Sequence, residues 1–537
     1  MKKIISLFLL IPGLFFLTQC EQEKIQVSTD ESGELVINVP DEYISKFKTD
    51  GFVNYSDFGA KADGKTDDII SIAAAHEIAN QHGLPVRAED GATYYIGGTT
   101  RTAIIKTDTD FGKASFIVDD TEVEDRGSHV FQVSSSLEAF EPKGISSLKR
   151  NQEKINVSLP GTCLITATNA NVRRYIRYGL NQNNGSPQTD IFVVDKNGNV
   201  DMDAPIIWDF DEITDIKALP LDDKILTISG GLFTTIANQA ESKYNYHSRN
   251  IAIRRSNVLV KDLEHRITGE GDHGAPYRGF IDIRDCSYVK VVNTILTGHK
   301  MYRTIGSAGK PVSMGSYDLS VNRALNVTFE NCTQTNSIDD RSYWGVLASN
   351  YSKNITYDNC TLSRFDAHMG VANATIRNST LGHMGINAIG SGTFTVENST
   401  IRGSRLINLR SDYGSTWQGE FIILNCTFIP AAGKPISSSL INGTYSGQHD
   451  FGYTCYMPER ITIENLKIDD SNHPEDYEGP AIFSNFNKEM TDASYVEQFP
   501  YIKTKEVILK NVTTASGKEL RLSDNPYMFN DVKVVTY

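Results

Sequence analysis

The sequence of 537 residues predicts an all-β protein folded as a parallel β-helix, and two observations carry this prediction. First, a short alternating strand that ends in Asn and a small residue recurs along the second half of the chain. Second, successive copies are separated by 28, 19, 20, 27, 40 and 46 residues. Because one β-helical coil needs about twenty residues, the shortest intervals are bare coils and the longer ones are coils that carry loops.

The repeat has a turn position and a small position next to it. The strand copies end at Asn331, Asn359, Asn378, Asn398, Asn425, Asn465 and Asn511, and an earlier copy ends at Asp285. Asn tolerates left-handed backbone geometry, and stacked Asn side chains can bond along a ladder. The next residue is Cys286, Cys332, Cys360 or Cys426 in four copies, and we expect these cysteines to be small buried hydrophobes.

The first twenty residues have the pattern of an export signal. Two lysines, Lys2 and Lys3, precede an apolar run from Ile4 to Phe16, and the segment ends at Cys20. The sequence Leu-Thr-Gln-Cys at this end resembles a bacterial lipobox, although Gln19 departs from its usual small residue. The resemblance implies lipidation of Cys20 and an exported protein anchored in the outer membrane, at the cell surface or on the periplasmic face; plain signal cleavage is the alternative.

Residues 21–50 are polar and predict a tether followed by an entry segment. The stretch Asp57–Asp68 then combines turn glycines with a candidate N-cap at Thr66 and two acids, Asp67 and Asp68, in a first helical turn. It predicts a helix that begins after Thr66, continues through Ile69 to Gln81 and stops at Gly83.

The stretch Asp57–Asp68 resembles the N-terminal entry motif of pectate-lyase-like (pectin lyase superfamily) proteins, in which a short helix caps the coil. This resemblance implies a single-stranded right-handed parallel β-helix over residues 51–537. Residues 51–84 would be the N-terminal cap, 85–250 irregular early coils and 251–537 regular coils with loops. A separate small domain within 85–250 stays open, because that region is less regular.

Charge narrows the classes of partner. The chain carries a formal net charge of −14, so a nucleic-acid partner is not expected. Residues 293–420, however, contain eleven Lys or Arg and nine acids, which makes a locally basic strip on an acidic body. Because arginine matches carboxylate and sulfate geometry, the strip predicts an acidic polysaccharide as substrate. The protein is expected to be a monomer, although the sequence leaves the oligomeric state open.

Counting from the Asn positions predicts two polar columns in this strip. Arg364, His383 and Arg402 lie four or five residues after their Asn, and His368, Asn387 and Asn408 lie nine or ten after theirs. Tyr343 and Arg410 each lie twelve residues after theirs.

Such a set suits β-elimination at a uronic acid, in which a cation neutralises the carboxylate, a base takes the C5 proton and an acid protonates the departing oxygen. Arg364 or Arg410 would neutralise, His368 would be the base, and Tyr343 or Tyr413 the acid. The candidate catalytic residues are His368, Arg364, Tyr343, Arg410, His383 and Tyr413. The candidate substrate-binding residues are Lys300, Arg303, Arg341, Arg402, Arg405, Asn387 and Trp344.

No cofactor is certain, but Asp339, Asp340 and Asp366 could hold Ca²⁺ on consecutive coils. Trp344 and Trp417 could be sugar platforms or loop packing.

Two other functions stay open. An inverting glycoside hydrolase could use the carboxyl groups of Asp339, Asp340, Asp366 and Asp412. The polygalacturonase family shares the entry motif, but of its motifs only Asp339-Asp340 and a broken Gly382-His383-Met384 are echoed, and pectate lyase signatures are missing. A non-catalytic glycan-binding β-helix is the second alternative. The resemblance to surface-anchored glycan-degrading lipoproteins implies a polysaccharide lyase on a glycosaminoglycan such as chondroitin sulfate, or on a pectic polymer.

Overall fold

The structure, a computed structural model, describes residues 24–123, 125–434, 437–444 and 447–537. It confirms the predicted fold class, an all-β parallel β-helix with helices near its N-terminus. The signal segment and Cys20 lie outside the described residues. Within the ranges given, neither α-helix has the length and apolar content that crossing a membrane requires.

The described chain begins with an antiparallel hairpin and two helices. The hairpin consists of β1 (Gln26–Thr29) and β2 (Leu35–Asn38), and helix α1 (Asp41–Asp50) follows it. Helix α2 (Ile69–His82) is largely apolar and packs its buried face against the first coil strands, where it becomes part of the main core.

Helix α2 differs from the sequence prediction at its start. Thr66 lies in a short strand, and Asp68 takes the N-cap position. The Asp68 carboxylate accepts the backbone N–H groups of Lys61 and Ala62, at 2.6 and 3.1 Å, so it fixes the preceding turn. The end agrees with the prediction, because Gly83 takes a left-handed φ of 66°.

The parallel coil starts before residue 85 and continues to the C-terminus, and it joins 29 of the described strands. Its early strands are β3 (Val53–Asn54), β4 (Asp63–Asp67), β5 (Val86–Arg87), β6 (Thr93–Ile96), β7 (Ala103–Ile105), β8 (Thr109–Asp119) and β9 (Phe131–Ser134).

An antiparallel sheet interrupts the coil between β9 and the next coil strand; residues 135–225 are called the insert. Its strands are β10 (Cys163–Arg174), β11 (Ser186–Val194) and β12 (Asp215–Pro220), in the order β11-β10-β12. The insert has a core of its own that includes Ile165 and Phe192. Residues 85–250 therefore contain both coil strands and a separately packed sheet.

The coil resumes after the insert, and its strands pair in parallel from rung to rung. They are β13 (Leu226–Ile236), β14 (Ile251–Arg254), β15 (Val258–Lys261), β16 (Glu264–Thr268), β17 (Arg278–Val292) and β18 (Ile295–Leu296), followed, after the hairpin β19 (Arg303–Ile305) and β20 (Pro311–Ser313), by β21 (Tyr317–Glu330), β22 (Thr333–Gln334), β23 (Leu347–Asp358), β24 (Thr361–Arg377), β25 (Thr380–Ala388), β26 (Gly390–Glu397), β27 (Thr400–Ile401) and β28 (Ile407–Leu409).

The C-terminal coils complete the fold. Their strands are β29 (Trp417–Leu424), β30 (Thr427–Phe428), β31 (Ser439–Asn442), β32 (Cys455–Tyr456), β33 (Arg460–Ile468), β34 (Ala481–Phe483), β35 (Tyr501–Ile502), β36 (Glu506–Thr514), β37 (Arg521–Ser523) and β38 (Lys533–Thr536); β32 and β35 form a separate small sheet. Short 3₁₀ turns occupy Ser56–Phe58, Ser411–Tyr413 and Pro430–Gly433.

The predicted Asn ladder is present. All seven predicted Asn positions have a left-handed φ, between 48° and 54°. Their side chains bond from coil to coil: for example, Asn465 Nδ2 donates to Asn425 Oδ1 at 2.7 Å, and Asn511 Nδ2 donates to Asn465 Oδ1 at 2.9 Å. The four cysteines that follow the repeat are buried and free, as predicted.

Inward side chains from successive rungs fill the coil. Phe394 on β26 pairs with Phe421 on β29, and the ring of Trp417 lies 5.2 Å from that of Phe394. Trp417 is fully buried, so of its two predicted roles the structure assigns it packing.

Candidate functional site

The site lies where β24 and the turn after β28 present polar side chains on the same face. On β24, Phe365 and Ala367 are fully buried in the core. Because side chains alternate along a strand, Arg364, Asp366 and His368 project from the opposite face of β24. Three residues on the turn after β28, namely Arg410, Asp412 and Tyr413, reach the same group.

Ion pairs connect these residues into one network, here called the central cluster. Arg364 and Arg410 both bond to Asp366, the second at 3.4 Å. Arg410 Nη2 also donates to Asp412 Oδ2 at 2.8 Å. The Asp412 carboxylate is 2.8 Å from a further guanidinium, that of Arg177 in the insert. Three guanidinium groups thus face two carboxylates, which leaves one net positive charge.

His368 lies against this network as a neutral base. Its Nδ1 is 3.0 Å from Asn350 Oδ1, and since an amide oxygen only accepts, Nδ1 carries the proton and Nε2 keeps its lone pair. Burial, together with the positive charges of Arg410, Arg177 and Arg364, lowers the pKa of His368 well below 6.5. The imidazole is therefore neutral at pH 7 and able to accept a proton.

Tyr413 is the tyrosine nearest to this base. Its ring meets the His368 ring edge-on at 5.8 Å, and the guanidinium groups of Arg177 and Arg410 each lie 5.4 Å from its centroid. Burial raises the pKa of Tyr413 to about 12, so its hydroxyl keeps its proton at neutral pH. Tyr413 is only 1% exposed, and in the cluster Asp366, at 0%, is more enclosed.

Arg364 supports the cluster from beneath. Its side chain is 4% exposed, and its guanidinium lies 5.1 Å from the ring centroid of Trp344 and 5.9 Å from that of Tyr317. With so little surface, Arg364 holds Asp366 in place, and Arg177 and Arg410, which are more exposed, are better placed to meet a ligand.

The predicted column of Arg364, His383 and Arg402 is wrong. A register shift after Leu362 places Gly385, not His383, opposite Arg364 on β25. Two extra residues in the β25 coil cause the shift, and counting from Asn could not detect them. In the second column Asn387 pairs with Asn408 as predicted, but its partner on β24 is Asp366 and not His368.

His383 and Arg402 form a second group with the loop 336–343. His383 Nδ1 lies 2.9 Å from the carbonyl oxygen of Ile338, and Arg402 pairs with Asp339 at 2.6 Å. Arg341 also belongs to this loop, and its charge contributes to a lowered pKa at His383, for which burial is the main cause.

The remaining predicted residues are spread over other surfaces. Lys300 and Tyr343 are joined by a backbone bridge, and Lys300 Nζ donates to the carbonyl oxygen of Gly271 at 2.6 Å. Arg303 is exposed on the hairpin β19–β20, and Asn387 belongs to a ladder with Asn408 and Asn442 beside Arg405. The structure therefore brings together four predicted catalytic residues, Arg364, His368, Arg410 and Tyr413, with Trp344 beside them.

Sequence reasoning missed Arg177 and Asn350. Arg177 follows the basic run Arg173-Arg174, and that local cluster was the available signal. No sequence signal pointed to Asn350, because its contact with His368 depends on the register between β23 and β24.

The three acids considered for calcium do not converge. Asp339 is neutralised by Arg402, and Asp366 by Arg364 and Arg410. Across the ranges that the structure describes, no three His, Cys, Asp or Glu residues form a group able to hold a metal ion.

A second buried polar cluster surrounds Asp318 on β21, a strand that is separated from β24 by β23. Its carboxylate is 2.7 Å from His265 Nδ1 and 3.3 Å from His299 Nε2. Burial opposes a charge on His299, but its hydrogen bonds to Asp318 and Glu270 raise its pKa to about 9. All but Glu270 are almost fully buried, which suits a structural role.

Comparison with known proteins supports the fold. No protein-family model matches the chain, and no curated protein matches it in sequence. Among solved structures, the tailspike gp61 of Pseudomonas phage phi297 is 13% identical, with a TM-score of 0.54 over 90% of this chain and 84% of that one.

Two further tailspikes have lower TM-scores. The tailspike gp49 of Pseudomonas phage LKA1 is 14% identical, with a TM-score of 0.48 over 90% of this chain and 84% of its own. The Gp54 tailspike of Acinetobacter baumannii bacteriophage AP22, solved with A. baumannii capsular saccharide, is 10% identical, with a TM-score of 0.48 over 94% and 81%.

Proposed function

We propose that the chain is a polysaccharide lyase that cleaves a uronic-acid-containing polysaccharide by β-elimination at the central cluster. The observation that carries the proposal is the neutral imidazole of His368 beside a network with one net positive charge. The network consists of three guanidinium groups and two carboxylates. A single uronate carboxylate would balance that charge.

The reaction would proceed through residues already in contact. The uronate carboxylate binds Arg177 and Arg410, which withdraws electron density and acidifies the proton on C5. His368 Nε2 takes that proton, the C4–C5 double bond forms, and the bond from C4 to the glycosidic oxygen breaks. The Tyr413 hydroxyl gives its proton to the departing oxygen, and the proton held by His368 returns to Tyr413 through solvent.

The charge states of Asp412 and Asp340, two of the four carboxyl groups considered for hydrolysis, favour elimination. An inverting hydrolase needs one protonated carboxylic acid at its site. Burial would raise the pKa of Asp412, but Arg410 and Arg177 hold it below 3.8. The pKa of Asp340 is also lowered, because its carboxylate accepts hydrogen bonds from Ser342. Both groups are therefore ionised at neutral pH.

The substrate class follows from the same charge. We propose a glycosaminoglycan such as chondroitin sulfate first and a pectic polymer second, because the locally basic strip of residues 293–420 suits an anionic sugar chain and the Leu-Thr-Gln-Cys end of the first twenty residues resembles that of surface-anchored glycan-degrading lipoproteins.

The test is ultraviolet absorbance during incubation with chondroitin, heparan, hyaluronan, pectate and alginate, each with calcium and with chelator. A rise on one polymer that His368→Gln removes, and that the control His82→Gln on helix α2 retains, is the expected result. Reducing ends without absorbance would indicate a hydrolase, and retained binding without either product would indicate a glycan-binding protein.

We further propose that the chain is exported as a monomer and anchored in the outer membrane through a lipid on Cys20. Metabolic labelling with a fatty-acid analogue should mark the wild-type protein in the membrane fraction and should not mark Cys20→Ser. Sedimentation of the Cys20→Ser protein should give the mass of one chain.

A further inference from the structure

A cavity of about 360 Å³ lies between the insert and the coil. It adjoins the central cluster, because Tyr175 lines the cavity and its ring lies 6.2 Å from that of Tyr413. The Tyr175 hydroxyl packs over Gly370, where any Cβ would collide with it. Tyr175 therefore lies between the cavity and the proposed reaction site, with a ring contact to each.

The coil side of the cavity is open because its side chains are small. Ala372 on β24 and Ser391 on β26 are register partners and both line the cavity. Adjacent rungs lie about 4.8 Å apart, so this floor is roughly one sugar ring long. Tyr351 and Tyr456 line it too and supply apolar ring faces.

The insert side of the cavity carries a cation with neutral partners. Arg174 donates through Nε to Gln188 Oε1 at 2.9 Å, and through Nη1 to the carbonyl oxygen of Gly452. Its guanidinium also lies 4.5 Å from the ring of Trp208. The hydrogen bonds that the structure describes for this guanidinium all go to uncharged acceptors, so its charge is available to an anion.

The other charged residues of the cavity do not neutralise the positive charge of Arg174. Lys353 and Asp190 pair at 2.7 Å and are almost fully buried. Arg150 and Asp209 are exposed, so the cavity opens to solvent beside them. Arg150 of the insert donates a hydrogen bond to Gln418 on β29. Three cations and two acids line the cavity.

We propose that this cavity binds an acidic sugar, recognised by a carboxylate or sulfate group, as a subsite beside the residue processed at His368. Its volume falls within the about 300–1,000 Å³ of small-molecule pockets, and its combination of aromatic walls with a few polar groups is typical of them. The inference rests on the proposed function for the polymer, but binding of a single sugar can be measured without turnover.

Tryptophan fluorescence can report on this cavity separately from the central cluster. Trp208 lines the cavity, Trp344 lies beside Arg364 and Trp417 is in the core. In a Trp344→Phe protein, sodium glucuronate and galactose 6-sulfate should each be titrated against uncharged galactose.

We expect a saturable change in tryptophan fluorescence with at least one acidic sugar. Galactose should bind at least tenfold more weakly. The change should disappear in Trp208→Phe. Ser391→Leu, which fills the floor, should weaken binding at least tenfold, whereas Ser391→Ala should not. The choice of acid would identify carboxylate or sulfate as the recognised group.

No response to either acidic sugar, or an equal response to galactose, would overturn the assignment. The result is independent of the proposed reaction: a responding cavity in a protein that cleaves none of the polymers would disprove the lyase alone. A silent cavity in an active lyase would disprove the subsite alone.

Discussion

The guanidinium of Arg177 lies 2.8 Å from the carboxylate of Asp412, so a residue of the insert completes an ion network built on the coil. The two residues are 235 positions apart in the chain. Their side chains are 21% and 22% exposed, which places the contact within reach of a ligand and still partly shielded from water. The insert thus shares in the proposed site.

Asp412→Asn should destabilise the protein because it removes the carboxylate that pairs with both Arg177 and Arg410. Breaking a partly buried pair leaves repelling cations, and we expect a loss of about 2 kcal/mol or more. Urea unfolding measures the change. Asp531→Asn, at an exposed carboxylate, is the control and should stay within about 0.5 kcal/mol of wild type.

The acid limb of the lyase pH profile should lie below pH 6.5, because the lowered pKa of His368 keeps its imidazole neutral above that value. As pH falls through the lowered pKa the base is protonated and kcat/KM declines. Arg177→Gln removes one of the charges that lower this pKa and should move the limb upward. A limb unmoved by this substitution would argue against His368 as the base.

Stability should fall with alkaline pH through His299. Its folded pKa of about 9 lies above the ordinary 6.5, so its contribution is complete below pH 6.5 and is lost as pH rises through 9. The shift corresponds to about 3 kcal/mol. The difference in unfolding free energy between wild type and His299→Gln should therefore shrink between pH 6 and 9.5. A constant difference would contradict this, and His82→Gln should track wild type throughout.

Asn465→Ala should lose about 1–2 kcal/mol in urea unfolding, because Ala both breaks the ladder and strains a φ of 54°. Asn465→Gly breaks the same hydrogen bonds without that strain, so it should lose less. Equal losses would show that the ladder bonds, and not the backbone geometry, explain the preference for Asn.

The repeat predicted the coil because its signal is local: Asn at the turn and a small residue next to it recur whatever the loop between them. The capping helix was predicted for the same reason, through Gly83. Register within a coil was not predictable, since the two extra residues before Gly385 leave no mark in the Asn spacing. His383 was therefore placed in the wrong column.

The site was predicted where its residues lie close in the chain, as Arg364 and His368 do, or Arg410 and Tyr413. Arg177 and Asn350 reach it only through the packing of the insert and the pairing of β23 with β24. Such contacts depend on three-dimensional assembly, which one sequence does not reveal.

The ladder also gives the molecule a direction. At each described step the amide of a later coil donates to an oxygen of an earlier coil, in two runs. The C-terminal run ends where Asn378 Nδ2 donates to the Asp358 carboxylate at 3.0 Å, and the N-terminal run ends where Asn293 Nδ2 donates to the Asp262 carboxylate at 3.1 Å. The amide dipoles are therefore aligned in both runs, with their positive ends toward the N-terminal coils and a carboxylate at the end of each run to receive them. Like a helix, this edge of the coil is electrically polarised along its length, and each added coil extends the polarisation.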